Sequence, residues 1–536
     1  MPQSKTTGIK VWIFIFAHMQ YKVNKVLKIW CLIITFIVGQ SLNYAYSQGL
    51  NFLAPVINRS LNVDTGVSII LTTGDAARFE GAQEEIPYTS SVQIIDADQS
   101  WPPRWYTSTP VYTDEMYKKD TSQGRYHLYM LMDVRIVGGY FSFYKILSNP
   151  GLSDGPLVNC EFAGYLLLND KMEAVDTVRS SDAIRNLYFH DLAINAKGER
   201  LVNLRKDTYL DLRDYSNDYR DTAVHCNVDY LQILDPVSDT IIFNWNPLEH
   251  IHANLFQFKQ ILKERAWGTG NSDVIEWTRL TSAQFDYDGN IIYDMKKIGL
   301  GKISREYGNV IWQITYKDIP LVAGKDTIRW YNPHDFNYLW ETDTSVVYSV
   351  YSNGIEESER GQEELACGVV FEMNKTSLAV KLLKVIWPQK KYVGSGQGNI
   401  SYSKTGNYVI AYGNFEQGER TTDGFEPNLE YGNDTTVKGV YEFPAYNRTY
   451  KAHLLNNFPR PPRPTISIRG DKLYAEGNFT NWVWYELSGK FYSEVKVVGK
   501  GPSIKFKKGK NYCVEGKYGI GYSVSKRFNG KVNEPY

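Results

Sequence analysis

An imperfect internal repeat between residues 138 and 458 constrains the fold of this chain more than any other feature. One half of each unit is a polar turn with glycine followed by a strand pattern, and the other half is a hairpin that ends in tryptophan. Four short strands per unit, joined by turn residues, are typical of one blade of a β-propeller. The turn halves are Asn195–Val202, Asp286–Tyr293 and Lys404–Ile410, and the hairpin halves are Leu231–Trp245, Ile303–Trp312 and Val370–Trp387.

The length of the repeated region limits the number of blades. About 320 residues at roughly 40 to 50 per blade predict about six or seven blades, and we choose six because the loops are long. A pair of β-sandwiches would use similar strands, but the repeated hairpin ending in tryptophan favours the propeller. We therefore predict an all-β chain in which a six-bladed β-propeller is flanked by small N- and C-terminal β-sandwich domains.

The composition agrees with an all-β chain and argues against one class of partner. The 536 residues include 40 Tyr and 42 Gly, aromatic residues make up 14%, and long helical periodicity is almost absent. Lys and Arg number 59, and Asp and Glu also number 59. Because nucleic-acid binding normally requires a basic domain, we expect no nucleic-acid partner. Any anion site must be local.

Residues 1–48 have the pattern of an export signal. Lys22, Lys25 and Lys28 precede the apolar run Ile29–Val38, and Ala45–Ser47 is a small-x-small cleavage site. The apolar run is short for a membrane span, which favours cleavage, and an uncleaved anchor is the alternative. The sequence thus predicts a periplasmic or secreted protein that meets a membrane only through an uncleaved signal, if that signal is retained.

Three further segments follow the signal. Residues 49–137 predict an N-terminal β-sandwich, 138–458 the propeller, and 459–536 a Pro-rich linker with a C-terminal β-sandwich. The segment Trp101–Trp105 is either a ligand platform or packing at a domain interface, and packing is favoured. Removal of the signal leaves four cysteines, whose spacing excludes a zinc knuckle and allows one disulfide without requiring it. They are Cys160, Cys226, Cys367 and Cys513.

Two His-Asp pairs, at His190 and His334, each come just before a strand of the repeat. Residues at the starts of blade strands line a common axis, so we expect both imidazoles in one channel. Histidine, with a usual pKa of about 6.5, can act there as a base, a nucleophile or a structural hydrogen-bonding group. Arg279, Lys296 and Arg360 would add the charged donors that an oxyanion such as sulfate or phosphate requires, although surface ion pairs would explain them equally well.

The order of these motifs resembles the bacterial-type arylsulfotransferases that work without PAPS. Members of that family are six-bladed propellers that move a sulfuryl group from a phenolic ester to another phenol through a sulfated histidine. The resemblance covers roughly residues 138 to 415 and is fairly specific only as an ordered set. It is carried by Gly139–Phe143, Phe189–Leu192, Glu276–Ser282 with Asp286–Asn290, His334–Phe336 with Ser352–Gly354, and Gly406–Gly413.

By this resemblance His334 falls on the nucleophilic histidine of the family and His190 on a second active-site histidine. The family pattern Asp-Trp-x-His-x-Asn reads Glu276-Trp277-Thr278-Arg279-Leu280-Thr281 here, and a downstream family arginine falls on a lysine. Alternation along a strand points the Asp335 side chain away from that of His334, so we expect Asp335 to anchor the local turn. The expected substrate-binding residues are Arg279, Thr281, Lys296 and Arg360.

Two functions remain open from the sequence. The first is an exported enzyme that transfers a sulfuryl group from a phenolic sulfate ester to a phenol acceptor through a histidine intermediate. The second is a non-catalytic propeller that binds a sulfated or otherwise anionic ligand or a glycan. His250 and His252 lack a convergent third ligand, and no phosphate-binding loop or Gly-x-Ser-x-Gly motif is found. We expect no cofactor and no metal.

Overall fold

Strands account for nearly all regular structure of the chain, as the composition predicts. The computed structural model describes residues 56–58, 65–73, 90–109, 128–148, 160–179, 187–211, 213, 223–251, 275–296, 298–314, 321–323, 326–328, 332–354, 365–389, 394–415, 425–444, 449–488 and 494–529. The predicted signal lies outside these residues. The all-β prediction is confirmed. Within the described ranges, no helix has the length and hydropathy needed to cross a membrane.

Among the described residues, the first half of the chain contributes twelve strands and a single-turn helix. The strands are β1 (Ile57–Asn58), β2 (Ser68–Thr73), β3 (Ser91–Asp96), β4 (Trp105–Ser108), β5 (Leu128–Val137), β6 (Tyr140–Ser148), β7 (Cys160–Leu168), β8 (Ala174–Val178), β9 (Leu187–Ile194), β10 (Arg200–Leu210), β11 (Val224–Leu234) and β12 (Ile241–Trp245). The helix α1 (Pro247–His250) begins after Asn246, whose side chain accepts a hydrogen bond from the Leu248 amide.

The middle of the chain continues with shorter strands. These are β13 (Ile275–Glu276), β14 (Leu280–Phe285), β15 (Ile291–Met295), β16 (Gly299–Ile303), β17 (Val310–Ile314), β18 (Leu321–Ala323), β19 (Asp326–Ile328), β20 (Pro333–Glu341), β21 (Ser345–Ser352), β22 (Cys367–Asn374), β23 (Val380–Ile386), β24 (Gly394–Gly396), β25 (Asn399–Tyr402), β26 (Tyr408–Ala411), β27 (Asn414–Phe415), β28 (Phe425–Gly432) and β29 (Val437–Pro444).

The last strands follow a short link. They are β30 (Ala452–Leu454), β31 (Thr465–Arg469), β32 (Lys472–Glu476), β33 (Thr480–Ser488), β34 (Glu494–Lys500), β35 (Ser503–Lys505), β36 (Asn511–Tyr518) and β37 (Gly521–Val524).

Most strands form small antiparallel sheets in chain order, as a repeat of four-stranded units predicts. Strands β5 to β8, β9 to β12, β14 to β17 and β20 to β23 each make such a sheet, and β13 pairs in parallel with β11. A fifth sheet has the order β1-β29-β28-β26-β25. Each predicted glycine turn joins the first two strands of its sheet, namely β9 to β10, β14 to β15 and β25 to β26. The repeat therefore corresponds to real sheets.

The three hairpin tryptophans lie on the fourth strand of their sheets or directly after it, but at different places. Trp245 is the last residue of β12, Trp312 lies two residues before the end of β17, and Trp387 follows β23. Trp245 and Trp312 are buried, whereas Trp387 is 49% exposed. The hairpin pattern thus identified the strands correctly, while the tryptophan itself does not occupy one repeated structural position.

An eight-stranded sheet joins both ends of the chain, in the order β30-β2-β3-β4-β37-β36-β33-β34. Strands from the predicted N-terminal, central and C-terminal segments therefore share one sheet, and the domain boundaries themselves stay predictions. Asp96 stabilises this junction, because Arg104 Nε lies 2.7 Å and Arg463 Nη2 lies 2.9 Å from its carboxylate. Trp105 is fully buried there and donates a hydrogen bond of 3.1 Å to the Tyr518 carbonyl. The Trp101–Trp105 segment thus packs between segments, as favoured from sequence.

Buried apolar clusters lie between consecutive sheets. Within the described residues, one such cluster packs the β5–β8 sheet on the β9–β12 sheet, and others continue this order through the β14–β17, β20–β23 and β25–β29 sheets. The next cluster packs that last sheet on β2 and β30, and another packs β2 and β3 on β5 and β6. The packing order therefore returns to its starting sheet.

The first strands of these sheets are also neighbours in the same order. Strand β9 lies beside β5 and β14, β20 lies beside β14 and β25, and β30 lies beside β25 and β5. Side chains from strands that are far apart in sequence can therefore meet where the first strands meet.

Candidate active site

A strained backbone conformation recurs in the first strands of four sheets. Asp133 in β5, Asp191 in β9 and Asp335 in β20 have φ of 47°, 74° and 59°, and Arg279, just before β14, has φ of 46°. The pairing with the second strand changes register at or next to each of these residues. Positive φ is uncommon for residues with a side chain and clusters at functional sites. The repeated irregularity therefore identifies the candidate site.

The two predicted histidines lie against each other. The ring centroids of His190 and His334 are 5.6 Å apart, with an interplanar angle of 74°. Tyr450, just before β30, places its ring centroid 5.8 Å from that of His190 and 5.7 Å from that of His334. All three side chains are buried. Strands β9, β20 and β30 thus bring two imidazoles and a phenol to one place.

His334 is held with one ring nitrogen free of hydrogen bonds to described residues. Its Nδ1 lies 2.7 Å from the Gly398 carbonyl oxygen, which can only accept, so Nδ1 carries the proton. The other nitrogen, Nε2, therefore has the lone pair, and it is buried without a hydrogen-bond partner among those residues. A fixed tautomer with an unshared lone pair is the arrangement that a nucleophilic histidine needs.

The charge state of His334 suits the same role. Burial lowers the pKa of His334 to about 3, with the Lys451 ammonium as the next cause, while the Asp335 carboxylate opposes the change. Because a low pKa favours the neutral ring, the Nε2 lone pair is available throughout the neutral pH range.

His190 is also neutral. Burial lowers its pKa well below the usual range, and the charges of His334, Arg205 and Lys451 act in the same direction. Its Nδ1 shares a hydrogen bond with the Tyr450 hydroxyl group. A neutral imidazole is both a donor and an acceptor of hydrogen bonds, so His190 can contact an oxygen atom beside His334 without carrying a charge.

Below the histidines lies a buried group of charges that we call the axial ion cluster. It consists of Asp133, Arg135, Asp191, Asp335 and Lys451. Lys451 Nζ lies 2.8 Å from Asp133, 2.9 Å from Asp335 and 3.3 Å from Asp191. Arg135 contacts Asp191 and lies 3.0 Å from Asp335. These residues come from β5, β9, β20 and the residue before β30, so the cluster ties four elements together.

The three carboxylates of the axial ion cluster do not behave alike. Burial raises the pKa of Asp191 to about 6, because Asp133 and Asp335 add to the effect and the two cations only partly offset it. For Asp133 and Asp335 burial also acts upward, but Lys451 and Arg135 bring the pKa below its usual value in both. As the pH falls, Asp191 is therefore the first of the three carboxylates to take up a proton.

Asp335 has a larger role than strand alternation predicted. Its main-chain and side-chain oxygens accept hydrogen bonds of 2.7 and 2.8 Å from the Asn337 side chain, which anchors the local turn. Its carboxylate also joins Arg135 and Lys451, because a residue at φ 59° departs from strand geometry and its side chain no longer follows the alternation.

Residues 167–424, just under half of the chain, match the family model described as arylsulfotransferase (ASST). This part of the chain belongs to the arylsulfotransferase family. The match supports an arylsulfotransferase-like function in outline. It includes both histidines and Gly398, whereas Arg135, Tyr450 and Lys451 lie outside the matched residues.

Comparison with curated proteins finds no match. Among solved structures, a protein of unknown function from Bacteroides caccae is 10% identical, with 73% of this chain and 99% of that chain covered and a TM-score of 0.37. A surface component of the type-IX secretion system of Porphyromonas gingivalis is 7% identical, with 82% and 64% covered and a TM-score of 0.26. TM-scores this low do not establish a common fold, so nothing about this chain follows from them.

The arylsulfotransferase segment also contains the expected substrate-binding residues. Thr281 is buried and donates a hydrogen bond of 2.8 Å to Asp294 Oδ2, and Pro333, next to His334, lies within 3.4 Å of its hydroxyl group. Arg279 is half-buried, and its charge contributes to the low pKa of His190. Its carbonyl accepts a hydrogen bond of 3.0 Å from the Lys296 amide. Arg360 lies outside the described residues, so its position stays a prediction.

Sequence reasoning missed Arg135, Tyr450 and Lys451, which complete the site from outside the family segment. Tyr450 and Lys451 precede a strand of only three residues, which gives almost no periodic signal. Asp133 and Arg135 are charges inside the otherwise largely apolar strand Leu128–Val137, and such charges are rarely buried without partners. Charged residues within an apolar strand pattern were therefore the sequence signal that could have identified Asp133 and Arg135.

Only the first part of the segment that contains His250 and His252 lies within the described residues. Residues 247–250 form helix α1, and the His250 ring stacks on Trp245 with centroids 5.9 Å apart. His252 lies outside the described residues. In the part of the chain that the structure describes, no three His, Cys, Asp or Glu residues converge on a metal position. Cys226, Cys367 and Cys513 are buried.

Proposed function

We propose that this chain is an exported arylsulfotransferase that moves a sulfuryl group from a phenolic sulfate ester to a phenol acceptor through His334. The observation that carries the proposal is the state of His334: a neutral ring, Nδ1 fixed by the Gly398 carbonyl, and a buried Nε2 without a hydrogen-bond partner among the described residues. The family assignment supports the same reaction class.

The reaction has two displacements at sulfur. In the first, the His334 Nε2 lone pair forms an N–S bond while the S–O bond to the donor breaks, and the phenolate leaves with the bonding electron pair. In the second, the acceptor phenol oxygen forms an S–O bond while the N–S bond breaks, which returns the lone pair to Nε2. The acceptor loses its proton to the departed phenolate or to solvent. Dividing one difficult displacement in this way is the benefit of a covalent intermediate.

His190 is the candidate partner for the moving proton and the reacting oxygen. Its ring is edge-to-face with that of His334, and Tyr450 fixes its Nδ1. Because the pKa of His190 is low, it acts as a neutral hydrogen-bonding group rather than as an imidazolium acid. Arg279, Lys296 and Arg360 are proposed to stabilise the sulfuryl oxygens, and Thr281 to shape the same site.

The proposed architecture is a six-bladed propeller with the site on its axis. Support comes from the packing order of the sheets, which returns from the β2 and β30 strands to β5, and from the neighbouring first strands. In this arrangement the sixth blade would combine β30 with β2, β3 and β4. The expected partners are small phenolic molecules, and the expected location is the periplasm or the extracellular space.

The test uses the purified chain with a panel of aryl sulfate donors and a phenol acceptor. We expect release of the donor phenol together with a sulfated acceptor, and loss of both products in the folded His334→Ala variant. Inactivity on every ester, combined with binding of sulfated ligands, would instead favour a non-catalytic binding module.

A further inference from the structure

We propose that Lys451 is a positioning residue for both active-site histidines, acting through the carboxylates of the axial ion cluster. The inference deepens the proposed function and rests on it. Lys451 is fully buried, and its ammonium group contacts Asp133, Asp191 and Asp335 at 2.8, 3.3 and 2.9 Å. An ammonium group has three donors, which match three carboxylates from three strands.

The chain connects each contact directly to a histidine. Asp191 follows His190, Asp335 follows His334, and Lys451 follows Tyr450, which shares a hydrogen bond with His190. Both aspartates have positive φ, a strained state that persists only when surrounding contacts hold it. Lys451 supplies a contact to each of them. Its position therefore determines where the peptide groups that carry the two imidazoles lie.

The charges around His334 also depend on Lys451. The facing groups are Lys451 and Tyr450 from the segment before β30, Asp133 and Arg135 from β5, His190 and Asp191 from β9, Asp335 from β20, and Arg279 before β14. After burial, the Lys451 charge is the main cause of the low pKa of His334, and Asp335 and Asp133 oppose it. Without this ammonium group, three carboxylates would face one guanidinium group and would favour a protonated ring.

The experiment compares Lys451→Met with the parent chain by NMR titration of the histidine rings and by the pH profile of kcat/KM on an aryl sulfate. We expect the protonation midpoint of His334 to rise by about one to two pH units in the variant. The decrease in kcat/KM on the acid side of the pH profile should move to higher pH together with the His334 midpoint. Lys451→Arg keeps the charge and should restore most of the parent titration.

Lys302→Met is the matched control. Lys302 is buried and lies 2.5 Å from Asp286 and 2.8 Å from Asp288, away from the histidines. Its loss should lower stability while the histidine titration and the pH profile stay as in the parent. A purely structural effect of losing any buried lysine would alter both variants alike.

Lys451→Met/Asp133→Asn covers the case in which the single variant does not fold. This double variant keeps the net charge of the axial ion cluster. Asp335 still lies beside His334 but no longer faces the lysine, so the protonation midpoint of His334 should still lie above that of the parent. An unchanged titration in a folded variant would overturn the proposal. Because the titration is read without a substrate, a chain inactive on every ester would remove the proposed function while the role of Lys451 could still be confirmed or rejected.

Discussion

Gly398 determines where the carbonyl group that orients His334 lies. The residue has φ of +80°, and a Cβ atom there would come within 2.5 Å of Tyr351 Cε1 and 2.9 Å of the Ala411 carbonyl oxygen. Glycine alone fits without moving these neighbours. The tautomer of His334 therefore depends on Gly398, which has no side chain. Resemblance to a catalytic motif does not reveal such a residue.

Gly398→Ala should reduce kcat/KM on an aryl sulfate by at least about tenfold, because displacement of the carbonyl removes the hydrogen bond that fixes Nδ1. Gly289→Ala is the control, since Gly289 has φ of +79° and no atom within 4 Å of an added Cβ. Both changes should cost about 1 to 2 kcal/mol of backbone strain. Equal losses of kcat/KM in both variants would show that the Gly398 carbonyl has no special role.

Asp294 provides a pH-dependent prediction at a single residue. Burial raises the pKa of Asp294 to about 8, and its Oδ1 has no hydrogen-bond partner among the described residues. Between the usual carboxyl pKa and about 8, the folded chain holds a proton that the unfolded chain releases, so stability from this group falls as pH rises. Asp294→Asn cannot ionise. Its Tm relative to the parent should therefore increase from pH 6 to pH 9, and a constant or decreasing difference would contradict the assignment.

The histidines could be predicted from sequence because each precedes an aspartate at the start of a repeated strand pattern. Arg135 and Lys451 could not, since their partners lie in other strands and burial of a charge depends on those partners. The side-chain direction of Asp335 was predicted from alternation, and the alternation fails at its positive φ. Arg279 and Lys296 were candidates from their charge and their place in the repeat as well as from the family resemblance, whereas Thr281 came from the resemblance alone.

At the scale of elements, turns between first and second strands also connect neighbouring sheets. Asp286 follows β14 and accepts a hydrogen bond of 2.9 Å from Tyr348 in β21, and Lys302 in β16 lies 2.5 Å from it. One carboxylate thus joins a turn, a strand of its own sheet and a strand of the next sheet. The glycine turns were predictable from local sequence, but this link between sheets was not, because Tyr348 is distant in sequence.

Asp286→Ala should lower the free energy of unfolding by about 3 to 5 kcal/mol, because it leaves the buried Lys302 without its nearest carboxylate. Glu341→Ala removes a partner of Lys375 at 2.5 Å on the surface and should cost much less, because water screens an exposed ion pair. Denaturant unfolding measures both. Similar values for the two variants would show that Asp286 does not link the sheets.

At the scale of the whole molecule, β30, late in the chain, pairs with a strand from the early part of the chain. This strand pairs with β2, with Ile70 opposite His453, and follows directly after Tyr450 and Lys451. The repeat predicted several small sheets in this region, but it did not predict that strands before residue 138 pair with the end of the repeat. Pairing between distant segments leaves no local pattern in the sequence.

A chain that begins at residue 110 should therefore fail to form the site, because β30 loses its partner strand. A chain that begins at residue 50 keeps β2, β3 and β4 and should retain both folding and activity. Circular dichroism, thermal unfolding and turnover of an aryl sulfate distinguish the two chains. Full activity of the shorter chain would exclude a structural role for the strands from β2 to β4 at the site.

The covalent intermediate is the central claim, and mass spectrometry tests it most directly. The chain is mixed with an aryl sulfate donor without acceptor, digested under mildly alkaline conditions and mapped by fragmentation. We expect the added mass of one SO₃ group on the peptide that contains His334, its loss when a phenol acceptor is added, and its absence in His334→Ala. Transfer by a chain that never acquires this mass, or acquires it on another residue, would contradict the account.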